Sequence, residues 1–414
     1  MDAQFRALFN AGYTDDLYRR YLADFFRRCD CPTDMQIAET PVFLPAKLRE
    51  RCERAGTEIL EQLCDPERIR RMRAAIPSRW DTPGETPLPT FCIIDFALTE
   101  DSNGELAPKL IELQGFPTLI AYETMQRDAW NATLQAIGGL ELDWTCWFSG
   151  LSRDAFIALA KRVILGDKAP ENVVLMDFDP PAQKTYPDFT ASKLLFGVDA
   201  VCPTSLFKRG RRLFRKANDG KEIPVERVYN RVIVDELERK NITLPWDFRD
   251  DLDVEWTPHP NWFWTWSKYS LPFLNHPAAP RATLLSHLDE LPANVTEGFV
   301  TENYVLKPLF SFAGAGVNVS PTAADVAAIP ADQRDGWCLQ EKIEYAPALK
   351  AADGGSGIKV ELRMIYLRPD DEPQFTLAQN LCRLSRGAMM GVDHNKKHRW
   401  VGSSIGLWPM GEAS

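Results

Sequence analysis

Two carboxylates and a carboxamide stand close together in alternating apolar sequence: Asp95 in FCIIDFAL, then Glu112 and Gln114 in PKLIELQGF. Glu112 and Gln114 are two residues apart, so on a strand both project from one face. The runs flank TEDSNGELA, whose Asn-Gly pair predicts a hairpin turn. Oxygen ligands on one face of an apolar hairpin suit Mg²⁺, which binds through one or two carboxylates plus substrate phosphates. The same residues also read as a solvated polar face with Asp95 capping a turn.

Further along, VLKPLFSFAGAGVNVS (305 to 320) places Lys307 and Pro308 before Gly314 and Gly316. It has neither the GxxxxGK[ST] order of a P-loop nor the GxGxxG of a dinucleotide fold. What it offers is a lysine on a strand facing a glycine turn whose N–H groups can approach an anion, or simply a glycine hairpin. WCLQEKIEYAP ends a strand with Gln340, Glu341 and Glu344. These are either an exposed strand end or a hinge that meets an adenine edge and a ribose. Arg363 shares a strand face with Glu361, and an arginine inside a strand must pair, snorkel or point into a cleft. Arg231, Arg363, Arg383 and Arg386 converging on one anionic centre is the expectation for phosphoryl chemistry, where charge spreads over several oxygens. The five histidines show no zinc spacing, and no GxSxG elbow is present.

The elements that must position these groups are mostly visible in the periodicity. Residues 1 to about 80 predict packing helices, since LYRRYLADFFRR and AKLRERCERAGTEILEQL repeat apolar groups three and four apart. A helical connection (about 119 to 165) follows the hairpin, and then ENVVLMDFDP, TYPDFTASKLLFG and DAVCPTSLF predict strand, helix, strand, a parallel α/β unit. A second hairpin centres on Asn218 to Gly220. Short strands run to the end: NYVLKPL, VNVS, WCLQEKI, KVELRMIYL, FTLAQNLCRL and RWVGSSIGLW. The aromatic segment with Trp246, Trp256, Trp262, Trp264 and Trp266 reads as packing between lobes rather than a stacking platform.

At 414 residues, two or three lobes with a cleft between them are expected. A net charge of −10 argues against a nucleic-acid backbone as main partner, KRGRRLFRK and HNKKHR being local exceptions. No run has the length of a membrane span, and the first twenty residues lack the order of an export signal. Nine scattered cysteines without a CxxC read as reduced thiols, so a cytoplasmic location is expected.

Taken in order, these segments carry five motifs that resemble the ATP-grasp superfamily in its circularly permuted branch, that of glutathionylspermidine synthetase-like carboxylate–amine ligases, the lysine strand and the lid being two of them. IIDFALTEDSNGELAPKLIELQGFP resembles the metal-binding strand pair, VYNRVIVDEL the tyrosine-arginine strand, VLKPLFSFAGAGVNV the lysine strand and lid, and LQEKI the adenine hinge. The resemblance covers about residues 85 to 410. It implies an α+β or α/β chain with an ATP-grasp core, a Rossmann-like α/β unit and N-terminal helices. The implied division is 1–84 helical, 85–165 metal-binding hairpin and connection, 166–240 α/β unit, and 241–414 lid and remaining core. By that resemblance Lys307 and Lys268 bind ATP phosphates under a lid carrying Gly314 and Gly316. Gln340, Glu341, Ile343 and Glu344 cover adenine and ribose, Asp95, Glu112 and Gln114 hold Mg²⁺, and Arg363 with Arg383 or Arg386 steadies the phosphoryl group. Two departures stand out: Gln114 replaces an asparagine, and Ile93 stands where an arginine is usual, a loss for which Arg231 compensates. The implied activity is amide or peptide bond formation between a small carboxylate and an amine through an acyl phosphate. The rivals are a kinase on the same fold and a nucleotide-binding scaffold without catalysis; a homodimer is left open.

Overall fold

The computed structural model describes residues 1–117, 119–217, 219–290, 303–310, 316–355, 357–387, 390 and 398–411. It is a mixed α+β chain, and among the described residues no helix is long and apolar enough to cross a membrane.

The central element is a five-stranded antiparallel sheet, ordered Gly402–Ser404, Thr376–Ser385, Lys359–Leu367, Phe91–Glu100, Leu106–Gln114. The hairpin forms where the sequence predicts it. Its turn is closed by Asp101, whose Oδ1 accepts the backbone N–H of Asn103 (2.9 Å) and Glu105 (3.0 Å). A bulge between Asp95 and Phe96 sets Asp95 opposite Glu112 and Phe96 opposite Leu110. Bulges re-aim side chains, and here Asp95 and Glu112 end as cross-strand neighbours on one face.

Both faces of this sheet are covered, which is why Phe91–Ala97 is buried throughout. Helix Ala46–Leu63 lies on the apolar face at Gly56, where a Cβ would stand 2.1 Å from the Tyr366 hydroxyl and 3.7 Å from the Phe96 ring. The other face, carrying Asp95, Glu361, Arg363 and Arg383, is partly roofed by helix Ile120–Leu134. Gln379 Nε2 donates to Thr124 Oγ1 at 3.1 Å across that contact. Phe9, Tyr21 and Phe25 from the first two helices, Ala3–Gly12 and Asp15–Cys29, share one core with the sheet.

The α/β unit is a four-stranded parallel sheet, ordered Glu255–Thr257, Arg227–Asn230, Val173–Met176, Asp199–Val201. Helix Tyr186–Phe196 makes the crossover between the last two, as the sequence predicts. An antiparallel three-stranded sheet, Phe207–Arg209, Arg212–Lys216 and Glu222–Val225, contains the expected second hairpin, of which Asn218 lies outside the described residues.

A separate antiparallel sheet, Ala282–Leu284, Trp337–Glu341, Tyr304–Pro308, carries the lysine strand. Leu306 and Leu339 face a small core with Leu285, Val326 and Ile329. Period-2 alternation therefore turns Lys307, Cys338 and Gln340 to the opposite side. The expected strand at VNVS is reduced to a single bridge between Leu306 and Asn318, since Pro321 and the helix Ala323–Ala327 follow at once. All nine cysteines are free, and Trp262, Trp264 and Trp266 are packing residues, none more than 4 % exposed.

Candidate functional site

Asp95 is fully buried and held by two guanidinium groups. Arg363 donates from Nε and Nη2 to the two carboxylate oxygens, each at 2.6 Å, and Arg383 Nη2 donates to Oδ2 at 3.0 Å. Arg383 Nη2 also pairs with Glu361, whose other oxygen accepts the Tyr345 hydroxyl at 2.9 Å. The register dictates this, because Arg363 is directly opposite Asp95 and Arg383 directly opposite Glu361. Bidentate geometry and shared charges offset a desolvation cost that isolated buried ions could not meet. Burial raises the Glu361 carboxyl above its ordinary range against the pull of Arg383 and Arg363. In Arg383 burial works the other way, but the carboxylates of Glu361 and Asp95 outweigh it and hold its proton more firmly. The Arg383 Nε is buried without a partner among the described residues.

Beside this lattice is a second group. Lys268 Nζ is 2.7 Å from Glu112 Oε1, and Lys307 Nζ donates to Gln340 Oε1 at 2.7 Å and reaches the Ile111 carbonyl at 3.5 Å. The lysine strand therefore rests against the acidic hairpin. Lys268 gets there through a glycine: a Cβ on Gly115 would meet the Trp262 carbonyl at 2.6 Å, and its N–H donates to the Trp266 carbonyl at 2.8 Å. That close approach docks the Trp262–Trp266 turn on the hairpin end and delivers the next residues, Ser267 and Lys268, beside Glu112.

The electrostatics follow. Burial opposes ionisation of Glu112, yet Lys268, Arg383 and Lys307 together depress its pKa to about 2. Burial lowers the Lys307 pKa, and Glu112 partly restores it. Glu112, Gln114, Phe116, Phe263, Lys268 and Phe310 line a crevice of about 20 Å³. That is room for roughly one water, so a larger ligand enters only if the lysine sheet and the hairpin part. A larger cleft, about 1010 Å³, lies at Pro83–Leu88, Asp250–Trp256 and Arg368–Pro373, and no candidate residue lines it.

Several expectations need correcting. The four arginines do not converge. Arg363 and Arg383 meet on Asp95, whereas Arg231 pairs with Asp188 at 2.6 Å and Arg386 with Asp353 at 3.0 Å. Asp95 accepts from Arg363 through both oxygens, so its charge is already paired, and no group of three or more His, Cys, Asp and Glu suits a metal among the described residues. Glu112, ionised, and Gln114 share the crevice, but Glu112 Oε1 is paired with Lys268 and the space holds about one water, so a hydrated Mg²⁺ fits only once the lysine sheet and the hairpin part. Of the hinge residues, Gln340 faces Lys307, whereas Glu341 accepts from Arg281 N–H at 3.1 Å, Ile343 is half-buried and Glu344 is exposed. Alternation along the strand separates Gln340 from Glu341. Gly314 lies outside the described residues; Gly316 has φ +73°, and a Cβ there would stand 2.8 Å from the Pro308 ring.

Residues the sequence reading passed over are also present. Asp188 binds Arg231 and, through Oδ1, the N–H groups of Ala121 (3.1 Å) and Tyr122 (2.9 Å) that open helix Ile120–Leu134. Asp177 ends strand Val173–Met176, and burial lifts its carboxyl to about 7 despite Arg231. An acid at the carboxyl end of a parallel strand was the available signal. Tyr345 and Glu123 gave no signal, one sitting in an irregular segment and the other within a helical pattern.

No protein-family model matches the chain, and no curated protein matches it by sequence. Among solved structures it is similar to a glutathione synthetase-like effector (GSS30) from Globodera pallida in the apo form. The TM-score is 0.52 at 12 % identity, over 91 % of this chain and 96 % of that one. The two share a fold. A likeness to a putative gamma-glutamylcysteine synthetase from Methylobacillus flagellatus KT, TM-score 0.37 and 13 % identity over 88 % of this chain and 89 % of that one, is too low to carry an argument.

Proposed function

We propose that the chain is an ATP- and Mg²⁺-dependent carboxylate–amine ligase with a circularly permuted ATP-grasp core. The observation that supports this most directly is the meeting of Glu112, Lys268, Lys307 and Gln340, drawn from four separate segments, beside the Arg363–Arg383 pair. In this reading Lys307 and Lys268 neutralise ATP phosphates, and Gln340, freed from Lys307, meets the nucleotide. Glu112 and Gln114 would hold Mg²⁺, which when bound would supply positive charge to neutralise the phosphates. Arg383 offers its unpartnered Nε to the transferred phosphoryl group while Nη2 stays anchored on Asp95 and Glu361. The substrate carboxylate becomes an acyl phosphate, an amine displaces phosphate, and an amide or peptide bond results with ADP and phosphate. The protein supplies position and charge rather than covalent chemistry. The expected partners are therefore a small carboxylate and a small amine.

The deciding experiment is ADP release across a panel of carboxylic acids, amino acids, small peptides and polyamines, followed by product mass. A product equal to acid plus amine minus water supports the ligase. Added phosphate on a single substrate identifies the rival kinase. A thermal shift with Mg·ATP but no substrate-dependent ADP identifies a binding protein, a reading favoured by the locking of Asp95 between two arginines.

A further inference from the structure

Glu123, one turn into helix Ile120–Leu134, is fully buried, and neither of its carboxylate oxygens has a hydrogen-bond partner among the described residues. Such an orphan is costly and rare in a folded interior. Its surroundings are not neutral filler. Asp188 spends one oxygen on the N–H groups of Ala121 and Tyr122 and the other on Arg231. Arg363, already held by both oxygens of Asp95, is close enough for its charge to act on Glu123. The remaining titratable neighbours are Tyr21 and Cys29 from helix Asp15–Cys29, Tyr122 on its own helix, Cys146, and Cys382 from strand Thr376–Ser385. The Ser403 hydroxyl, which accepts from Gln126 Nε2 at 3.3 Å, has its own proton left to turn toward Glu123 and so opposes the effect of burial on that carboxyl. Among the described residues Arg363 is the cation whose charge favours ionised Glu123, and Asp95 already claims it bidentately.

We propose that Glu123 is a positioning residue that stays protonated between the Arg231–Asp188 and Arg363–Asp95 pairs, and that its ionisation draws Arg363 away from Asp95 and so disorders the phosphate-facing arginines. Burial and the neighbouring Asp188 charge both favour the neutral acid, with Arg363 opposing. As a neutral group Glu123 separates two ion pairs without competing for either; as an anion it would be the third carboxylate contending for Arg363. The proposal rests on the nucleotide reading above for its effect, though not for the protonation itself.

The test compares wild type with Glu123→Gln, which is neutral at every pH, and Glu123→Leu. Infrared spectra at neutral pH should show a protonated-carboxyl band in wild type that Glu123→Gln lacks; a wild type without that difference overturns the proposal. Calorimetric Mg·ATP affinity should fall in wild type by about tenfold per pH unit above the ionisation, whereas Glu123→Gln should match wild type at neutral pH and stay flat. Glu123→Leu should bind more weakly at every pH. An alkaline loss retained in Glu123→Gln overturns the proposal, as does a flat wild-type profile. If neither protein binds Mg·ATP, the nucleotide reading fails, and urea stability decides instead. Wild type should then lose stability relative to Glu123→Gln as pH rises, and parallel stability curves would overturn the proposal.

Discussion

Asp95 and Arg363, 268 positions apart in sequence, face each other across adjacent strands with both carboxylate oxygens bonded at 2.6 Å. The pair, shared with Arg383, fixes the polar face of the central sheet. Removing one member strands the others in a buried setting. Asp95→Asn should therefore destabilise the chain by about 3 to 5 kcal/mol, the range for breaking a buried pair. Urea unfolding monitored by circular dichroism measures it, and a loss under about 1 kcal/mol would show that the lattice contributes little.

Lys307 tests the crevice. Lys307→Met keeps the length of the side chain and removes the charge, so the sheet around Leu306 and Leu339 should persist. ATP turnover should fall by about 10²-fold or more, the scale for losing one preorganised charge donor. Glu112→Ala should do the same. Unchanged ADP release from either variant would remove the phosphate-binding assignment.

Glu112 also sets an acid limit. Its folded-state pKa of about 2 lies below the ordinary 4.5, so its contribution is full above about pH 5 and disappears as pH falls through about 2. The depression corresponds to about 3 kcal/mol. Glu112→Gln should lose less stability than wild type over that window in pH-dependent urea titrations.

Asp177 carries the opposite sign. Its folded-state pKa is raised from 3.8 to about 7, so its contribution is complete below about pH 4 and is lost as pH climbs to about 7. Asp177→Asn should be more stable than wild type at pH 8, by up to about 4 kcal/mol, with the difference vanishing near pH 4. A pH-independent difference would show that Asp177 ionises freely.

Much of the fold was legible because its signals are local. The Asp-Ser-Asn-Gly turn, the period-2 runs and the strand–helix–strand spacing at 173 to 201 all encode their own geometry. The site was legible only as a set of residue types. Nothing near Asp95 in sequence says that Arg363 will occupy both its oxygens, and the bulge that puts Glu112 opposite Asp95 has no glycine to mark it. Arg231 shows the same limit: an arginine after a strand looks identical whether it meets substrate or, as here, Asp188. Glu341 differs for a simpler reason: strand alternation alone turns it away from Gln340 and toward Arg281.

The central sheet joins Phe91–Glu100 to Lys359–Leu367, and this has a consequence for biosynthesis. At about 5 to 20 residues per second, a ribosome needs roughly 15 to 50 seconds to deliver the second strand after the first. Throughout that interval the Phe91 strand has one unsatisfied backbone edge and an acidic group awaiting its guanidinium. The nascent chain is thus open to mispairing and to chaperone capture until Lys359–Leu367 emerges.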